Sequence, residues 1–216
     1  MAVLENIEVL TQSCIRIRSD KGIIYLDPFR MGAAPHDADY IFVTHDHYDH
    51  FSPEDIEKAS SGAATVLIVP EKLRGAAGEE AGRLVGRIET VKPGEQYKTG
   101  NLEFETVPAY NNQKSFHPKS SGWVGYILQI EGKRIYIAGD TDATKEAETV
   151  ECDIALVPIG GTYTMDAKQA AEFVNKIRPE VAIPTHYGSI VGRPEDEKTF
   201  AKYVKAPTKV EFKIPF

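Results

Sequence analysis

The segment that most constrains this chain is VTHDHYDHFSPEDI, residues 43–56, in which an apolar run ends in three of the six histidines of the sequence. The β-branched and aromatic run before it predicts a buried strand, and Ser52-Pro53 predicts the N-cap and first turn of a helix. Side chains alternate along an extended strand, so His45 and His47 point to the same side and can hold one ion. The fold must therefore place a strand end, a turn and a helix start around a cluster of titratable side chains.

Further residues of metal-ligand type extend the cluster. Asp49 and His50 come after the chain has begun to turn into the helix, so we expect them to face a second ion beside the first. The simpler alternative is a solvated loop whose aspartates favour the helix N-terminus electrostatically. The density of histidine and aspartate at one junction favours metal binding. Two distant apolar runs also end in ligand-type residues, Asp140 in YIAGDTD and His186 in AIPTHYG, and the Asp140 carboxylate could bridge two ions.

The composition of the chain limits its partners. With 216 residues, 42% of them hydrophobic, it can bury a sizeable core, and we expect one domain spanning residues 1–216. The net charge of −7 gives no field that would gather nucleic acid or an anionic membrane, so we expect a small-molecule substrate.

Cys14 and Cys152 lie far apart without CxxC spacing, which is typical of buried thiols in a reducing compartment. The N-terminus lacks the pattern of a secretory signal and no run is long enough to span a membrane, so we expect the cytoplasm. The sequence is silent on oligomeric state.

Secondary-structure signals repeat in the two halves of the chain. Each half begins with short strands separated by turns and continues with alternating strands and helices, which predicts two sheets packed face to face with helices outside. The tripeptide EGK, residues 131–133, predicts a tight hairpin. Residues 71–90 are interrupted by glycine and predict a short helix or turn region. Residues 166–180 predict a helix that ends at Pro179, and residues 209–214 predict a closing strand.

Three motifs resemble the metallo-β-lactamase superfamily in order and spacing: HDHYDH at 45–50, GDT at 139–141 and THYG at 185–188. The segments YLDPF, FHPKSSGWVGYIL and VPIGGTYTM are similar to the stand-alone metal-dependent hydrolases of that superfamily, near the ascorbate-6-phosphate lactonase and N-acyl-phosphatidylethanolamine phospholipase branches. The resemblance extends from Asp27 to His186. It implies an α+β fold, a four-layer αββα sandwich in which two mixed sheets pack face to face with helices outside.

The resemblance also implies a binuclear centre with ligands from three strand ends: His45 and His47 for the first metal, Asp49, His50 and His186 for the second, and Asp140 bridging. The family has a further histidine at the first site, but this chain has Tyr110 there. His117, seven residues on, either replaces that ligand or contacts the substrate, and the sequence leaves both roles open. Asp27 and Tyr110 are expected to support the ligands. Asp27 would accept a hydrogen bond from a ligand histidine, although an aspartate before proline is also a common turn residue.

Imidazole and carboxylate ligands without thiolate suit two divalent ions, zinc first, with manganese or iron as alternatives. Two such ions lower the pKa of a bridging water, so that a metal-bridging hydroxide can attack a polarised carbonyl or phosphoryl group. We therefore expect a binuclear metal-dependent hydrolase of a small ester, lactone or phosphodiester, with Asp49 and His117 as catalytic residues. One alternative is a metal-dependent nuclease, which the acidic composition disfavours. The other is a non-hydrolytic metal-binding or redox protein, which the retained His47 disfavours because the redox relatives have glutamate there.

Overall fold

The strands of a computed structural model, which describes residues 2–216, form two sheets. The first sheet contains six strands in chain order: β1 (Ile7–Thr11), β2 (Cys14–Ser19), β3 (Gly22–Leu26), β4 (Tyr40–Phe42), β5 (Gly62–Pro70) and β6 (Val85–Val91). Strands β1 to β3 form an antiparallel meander, whereas β3 to β6 pair in parallel. The sheet is therefore mixed.

The second sheet repeats this arrangement. Its seven strands also follow chain order: β7 (Gln96–Thr99), β8 (Leu102–Pro108), β9 (Val124–Ile130), β10 (Lys133–Ile137), β11 (Ile154–Pro158), β12 (Val181–Thr185) and β13 (Lys209–Val210). Strands β7 to β10 are antiparallel and β10 to β13 are parallel. The predicted hairpin is the β9–β10 connection, in which Lys133 pairs with Ile130.

Five helices accompany the sheets: α1 (Ala2–Glu5), α2 (Pro53–Ala59), α3 (Arg74–Glu80), α4 (Ala167–Ile177) and α5 (Asp196–Tyr203). Helix α2 begins as predicted, since the Ser52 hydroxyl accepts a hydrogen bond from the backbone N–H of Asp55. Helix α4 begins with a capping box between Asp166 and Gln169. In the described range, no helix has the length and apolar character needed to cross a bilayer.

The alternation of side chains along the strands separates an inner from an outer apolar layer. Phe42 of β4 points between the sheets, where its ring lies 5.1 Å from that of Phe104 and 5.0 Å from that of Tyr126, both on the second sheet. Ile41 points the other way, into a buried cluster that it shares with Ile56 of α2. Helix α4 packs against β11 of the second sheet. These contacts confirm the predicted α+β sandwich of two mixed sheets with helices outside.

Two predictions of secondary structure need correction. The region 71–90 contains the predicted short helix, but it also contains β6, which the sequence did not reveal. Strand β6 lies at the edge of the first sheet and only its two end residues are buried, so charged residues interrupt its pattern. The predicted closing strand over 209–214 pairs with β12 only through Lys209 and Val210. Glu211 still donates its backbone N–H to the carbonyl of Ala182 at 3.0 Å, but Pro184 of β12 has no N–H with which to continue the ladder.

Candidate metal centre

The predicted ligands lie at the carboxyl ends of strands from both sheets. His45 and His47 follow β4, Asp140 follows β10, and His186 comes directly after β12. Because parallel strands present their carboxyl ends at one edge of a sheet, β4 and its neighbours deliver these residues to one edge, and β10 to β12 do the same from the facing sheet. His117 comes from the loop between β8 and β9. The fold therefore brings together residues that are up to about 140 positions apart in the sequence.

Asp140 stands at the centre of the cluster. One carboxylate oxygen, Oδ1, lies 3.4 Å from Nε2 of His50. The other, Oδ2, lies 3.2 Å from Nε2 of His186 and 3.3 Å from Nε2 of His117. Nε2 of His45 is 4.0 Å from the same oxygen. A single buried carboxylate therefore contacts imidazoles from four separate positions of the chain.

The remaining side chains form two sets around Asp140. We call His45, His47 and His117 the first ligand group, and Asp49, His50 and His186 the second ligand group. Within each group the potential ligand atoms all lie within 4.8 Å of one another. In the first, Nε2 of His45 is 3.1 Å from Nδ1 of His47. In the second, Oδ2 of Asp49 is 3.3 Å from Nε2 of His186 and 3.6 Å from Nε2 of His50.

Several of these atoms are buried without a hydrogen-bond partner. They are Nε2 of His50, of His117 and of His186, together with Oδ1 of Asp140. Buried polar atoms in folded proteins are nearly always paired, and an unpaired one carries a desolvation cost. Divalent cations bound at the cluster would satisfy these atoms, and nitrogen and carboxylate oxygen are the donors that zinc, manganese and iron accept. The residues present therefore fit a metal centre.

The ionisation of the cluster differs between the groups. Burial opposes the charged form of His186, but the neighbouring carboxylates of Asp140 and Asp49 together outweigh it and raise the pKa of His186 to about 10. The pKa of His50 is raised by the same competition between burial and Asp140. In the first ligand group, burial and neighbouring imidazoles lower the pKa of His45 and of His47. A protonated His186 thus balances the carboxylates around it, and a bound cation would displace that proton.

Asp27 orients two of the histidines. Its Oδ2 lies 2.6 Å from Nδ1 of His50, which leaves Nε2 of that ring facing the cluster. The same carboxylate accepts hydrogen bonds from the backbone N–H of Thr44, at 2.8 Å, and from its hydroxyl, at 2.7 Å. The Thr44 hydroxyl is in turn 2.9 Å from Nδ1 of His45. The structure thus places Asp27 in contact with His50, and it adds Thr44, which sequence reasoning missed.

His117 lies within the first ligand group, where the family histidine is absent. The side-chain oxygen of Asn111 accepts a hydrogen bond from the backbone N–H of His117 at 3.1 Å and lies 3.0 Å from its Nδ1. The Asn111 amide nitrogen donates to the carbonyl of Tyr163 at 2.9 Å. Nε2 of His117 is thereby directed at Asp140. This position suits the ligand role, and Asn111 is a second supporting residue that sequence reasoning missed.

Tyr110 is used elsewhere in the same loop. Its hydroxyl donates to Oε2 of Glu146 at 2.7 Å, and Lys119 lies 2.6 Å from the other oxygen of that carboxylate. The backbone N–H of Tyr110 donates to the hydroxyl of Thr141 at 3.2 Å. Tyr110 thus joins the loop that carries His117 to the segment that follows Asp140. Its contact with the ligands is indirect.

Gln12 contacts two members of the second ligand group from the turn between β1 and β2. Its backbone adopts a left-handed conformation, with φ of 47°, and its side chain is fully buried. The carbonyl oxygen of Gln12 accepts a hydrogen bond from the N–H of His186 at 2.9 Å. Its side-chain Nε2 donates to Oδ2 of Asp49 at 3.5 Å, while its Oε1 is buried without a partner. The sequence offered only a turn residue here.

Trp123 forms an apolar wall beside the first ligand group. Its ring centroid lies 4.9 Å from that of His47, 5.1 Å from that of His45 and 5.5 Å from that of His117. An apolar surface next to metal-ligand side chains restricts solvent and lowers the local dielectric constant. The structure therefore gives this tryptophan a position at the site, where burial alone could have explained it.

Solved structures of other proteins share this fold. A protein from Parabacteroides distasonis, described as a metal-dependent hydrolase, superposes with a TM-score of 0.79 at 27% identity, over 96% of this chain and 91% of its own. CmlA, a diiron β-hydroxylase from Streptomyces venezuelae, gives a TM-score of 0.72 at 16% identity, over 95% of this chain and 52% of its own. The second likeness concerns the fold alone.

Sequence relatives add the activity class. A UPF0173 metal-dependent hydrolase from Methanopyrus kandleri is 30% identical over 211 residues, covering 91% of this chain and 90% of that protein. With the histidine and carboxylate cluster, this likeness identifies the chain as an enzyme, a metal-dependent hydrolase. A family model described as a beta-lactamase superfamily domain matches residues 6–186. The chain belongs to the metallo-β-lactamase superfamily.

Proposed function

We propose that this metal-dependent hydrolase is binuclear, that it uses zinc in preference to manganese or iron, and that it cleaves a small ester, lactone or phosphodiester. The observation that carries the proposal is the position of Asp140. Its Oδ1 lies 3.4 Å from His50 of the second ligand group, and its Oδ2 lies 3.3 Å from His117 of the first. One carboxylate between two sets of nitrogen ligands is the arrangement that two adjacent ions require.

The residues of the chain have separate tasks in this proposal. The first ligand group would hold one ion, the second ligand group the other, and Asp140 both. Two divalent ions held there would supply a nucleophile from water at neutral pH and would stabilise the charge on the leaving oxygen. Asp49 is suited to orient that water, because burial raises its pKa but the neighbouring His186 and His50 together lower it further, which favours the ionised carboxylate. Trp123 limits the access of bulk solvent.

Burial supports a small substrate. Within the first ligand group His45 and His117 are buried and only His47 is partly exposed. A narrow approach of this kind does not suit a duplex, and the net charge of −7 opposes binding of a polyanion, so we place nucleic acid second to a small molecule. The two cysteines are unpaired, which supports a reducing compartment such as the cytoplasm.

The proposal can be tested on the full chain after removal of metal with a chelator. Zinc, manganese and iron would each be titrated back, with metal content measured by mass spectrometry and turnover measured on a 4-nitrophenyl ester, a lactone and bis(4-nitrophenyl) phosphate. We expect two ions per chain at saturation and turnover that depends on them. His36, which lies exposed in a loop, provides the control, since His36→Ala should retain both ions. Saturation at one ion, or turnover by the metal-free protein, would contradict a binuclear centre. A fully loaded protein that hydrolyses none of the three substrates would favour a non-hydrolytic role.

A further inference from the structure

Near the metal centre lies a guanidinium that has no acidic partner. Arg30 is exposed in the loop that follows β3, three residues after Asp27. Among the ion pairs of residues 2–216, from Arg16 with Glu8 to Lys213 with Glu211, none involves Arg30. Its charge is therefore not neutralised by a carboxylate of the chain. Most exposed arginines are simply solvated, so the case for a role depends on how firmly this one is held.

The backbone of Arg30 is fixed in an unfavourable conformation. Its φ of 47° lies in the left-handed region, which is costly for residues other than glycine. The N–H groups of Arg30 and Met31 both donate to the buried carboxylate of Asp55, each at 2.9 Å. Asp55 belongs to α2, the helix that starts directly after the histidine cluster. These two hydrogen bonds hold the loop against α2, the helix that follows His45, His47 and His50 in the sequence.

The side chain of Arg30 is also positioned. Its Cζ lies 5.1 Å from the centroid of the Phe29 ring, and Nη1 donates to the Ser189 hydroxyl at 3.1 Å. The Phe29 ring is itself 5.9 Å from the exposed ring of Tyr48, which stands in sequence between His47 and Asp49. Ser189 follows His186 by three residues. The guanidinium therefore spans the loops that carry ligands on either side of the site.

We propose that Arg30 and Ser189 form an oxyanion-binding subsite at the rim of the metal centre, so that the substrate carries a carboxylate or phosphate group apart from the bond that is cleaved. This inference rests on the proposed hydrolase function and specifies its substrate class. The planar fork of a guanidinium matches a carboxylate or a phosphate in a bidentate manner, and the Phe29 face shields one side of it from water. Because the chain has a net charge of −7, a local cation is needed to offset its repulsion of an anionic substrate.

The kinetic test uses two esters that share a leaving group. The metal-loaded full chain would be assayed on 4-nitrophenyl hydrogen glutarate, which carries a carboxylate, and on neutral 4-nitrophenyl butyrate. For Arg30→Gln we expect the ratio of kcat/KM for the charged ester to that for the neutral ester to fall about tenfold, through KM of the charged ester, as loss of a charge-assisted hydrogen bond predicts. Arg30→Lys should restore part of the ratio. Arg83, exposed and without an ion pair in the described residues, supplies the matched control, and Arg83→Gln should keep the ratio.

A binding measurement separates this inference from the function on which it rests. Inorganic phosphate would be titrated calorimetrically into the metal-free wild type and into metal-free Arg30→Gln, where no ion can hold the anion. We expect binding to the wild type and a loss of about tenfold in the variant. Equal phosphate binding by the two proteins, or an unchanged ester ratio, would overturn the subsite. A loaded wild type that hydrolyses neither ester would instead count against the hydrolase function, and the phosphate titration would still decide on Arg30. Circular dichroism and metal content would establish that the variant is folded.

Discussion

The two ligand groups share Asp140 but differ in charge. The first is composed entirely of imidazoles, and burial together with neighbouring rings lowers the pKa of His45 and of His47. The second includes the carboxylate of Asp49, and the carboxylates around it raise the pKa of His186 to about 10, against the effect of burial. His45 and His47 therefore favour the neutral form, whereas the second group includes a carboxylate that attracts cations, whether protons or metal ions.

Their supports differ as well. In the second group, His50 is held by Asp27 at 2.6 Å, and the turn at Gln12 contacts two further members. In the first group, His47 is partly exposed, and His117 depends on a loop held by the neutral Asn111. A ligand group that is buried, contains a carboxylate and is firmly supported reorganises little when it binds an ion, so little free energy of binding is lost. We therefore expect the second ligand group to bind its ion more tightly than the first.

The largest effect should come from the residue that the groups share. Asp140→Asn keeps the shape of the side chain but removes the charge that faces both sets of imidazoles. We expect the affinity for both ions to fall by more than about 100-fold, and turnover to fall in proportion. Removing a shared ligand should cost more affinity than removing a residue that only supports a ligand. Metal content after dialysis at fixed free zinc measures this. Asp142→Asn is the control, because the carboxylate of Asp142 pairs with Lys114, at 2.9 Å, and not with a candidate ligand. One ion retained at the wild-type affinity would show that Asp140 serves a single group.

Single-ligand variants should separate the groups. A zinc titration of the wild type is expected to show a tight and a weak phase. His117→Ala should lose the weak phase, because it removes a first-group nitrogen, and His186→Ala should lose the tight phase. Each variant should retain one ion per chain at saturating zinc. If both variants lost the same phase, the division into two groups would be wrong.

The support of the second group can be weakened without touching a ligand. Asp27→Asn keeps a side-chain oxygen that can accept the hydrogen bond from the backbone N–H of Thr44. It removes the charge beside Nδ1 of His50. Carboxylates behind metal-ligating histidines typically contribute 10- to 100-fold in metal affinity, so we expect the tight phase to weaken by about that factor. The weak phase should change by less than about threefold, because Asp27 reaches the first ligand group only indirectly, through the contact of the Thr44 hydroxyl with His45. An equal loss in both phases would mean that Asp27 supports the centre as a whole.

The sequence predicted the ligands better than their supports, for a physical reason. His45, His47 and His50 can be recognised in the sequence because local spacing places chemically distinctive side chains at a strand end. Thr44 and Asn111 act through hydrogen bonds that only the tertiary structure creates, and neutral polar residues of this kind are common in turns.

The same reasoning applies to the fold. Strands buried on both faces, such as β4, give continuous apolar runs that are easy to recognise. The edge strand β6 is buried only at its two ends and carries charges between them, so its sequence resembles a loop. His117 lies between these cases, since its residue type suggested a role but only the folded loop brings its Nε2 to 3.3 Å from Asp140.

The smallest effect is expected at Gln12, and it tests the comparison most finely. Gln12→Leu removes the side-chain donor to Asp49 but keeps the backbone carbonyl that accepts from the N–H of His186. The acceptor is the Asp49 carboxylate, but at 3.5 Å the bond is long, so we expect its loss to cost about 0.5 to 1.5 kcal/mol and to weaken the tight phase by about two- to tenfold. The weak phase should not change, because Gln12 contacts only the second ligand group among the described ligands. Gln113→Leu, at an exposed position, controls for the substitution itself. A shift confined to the weak phase would reverse the assignment of support, and a loss as large as that of Asp27→Asn would show that Gln12 also holds the turn on which His186 depends.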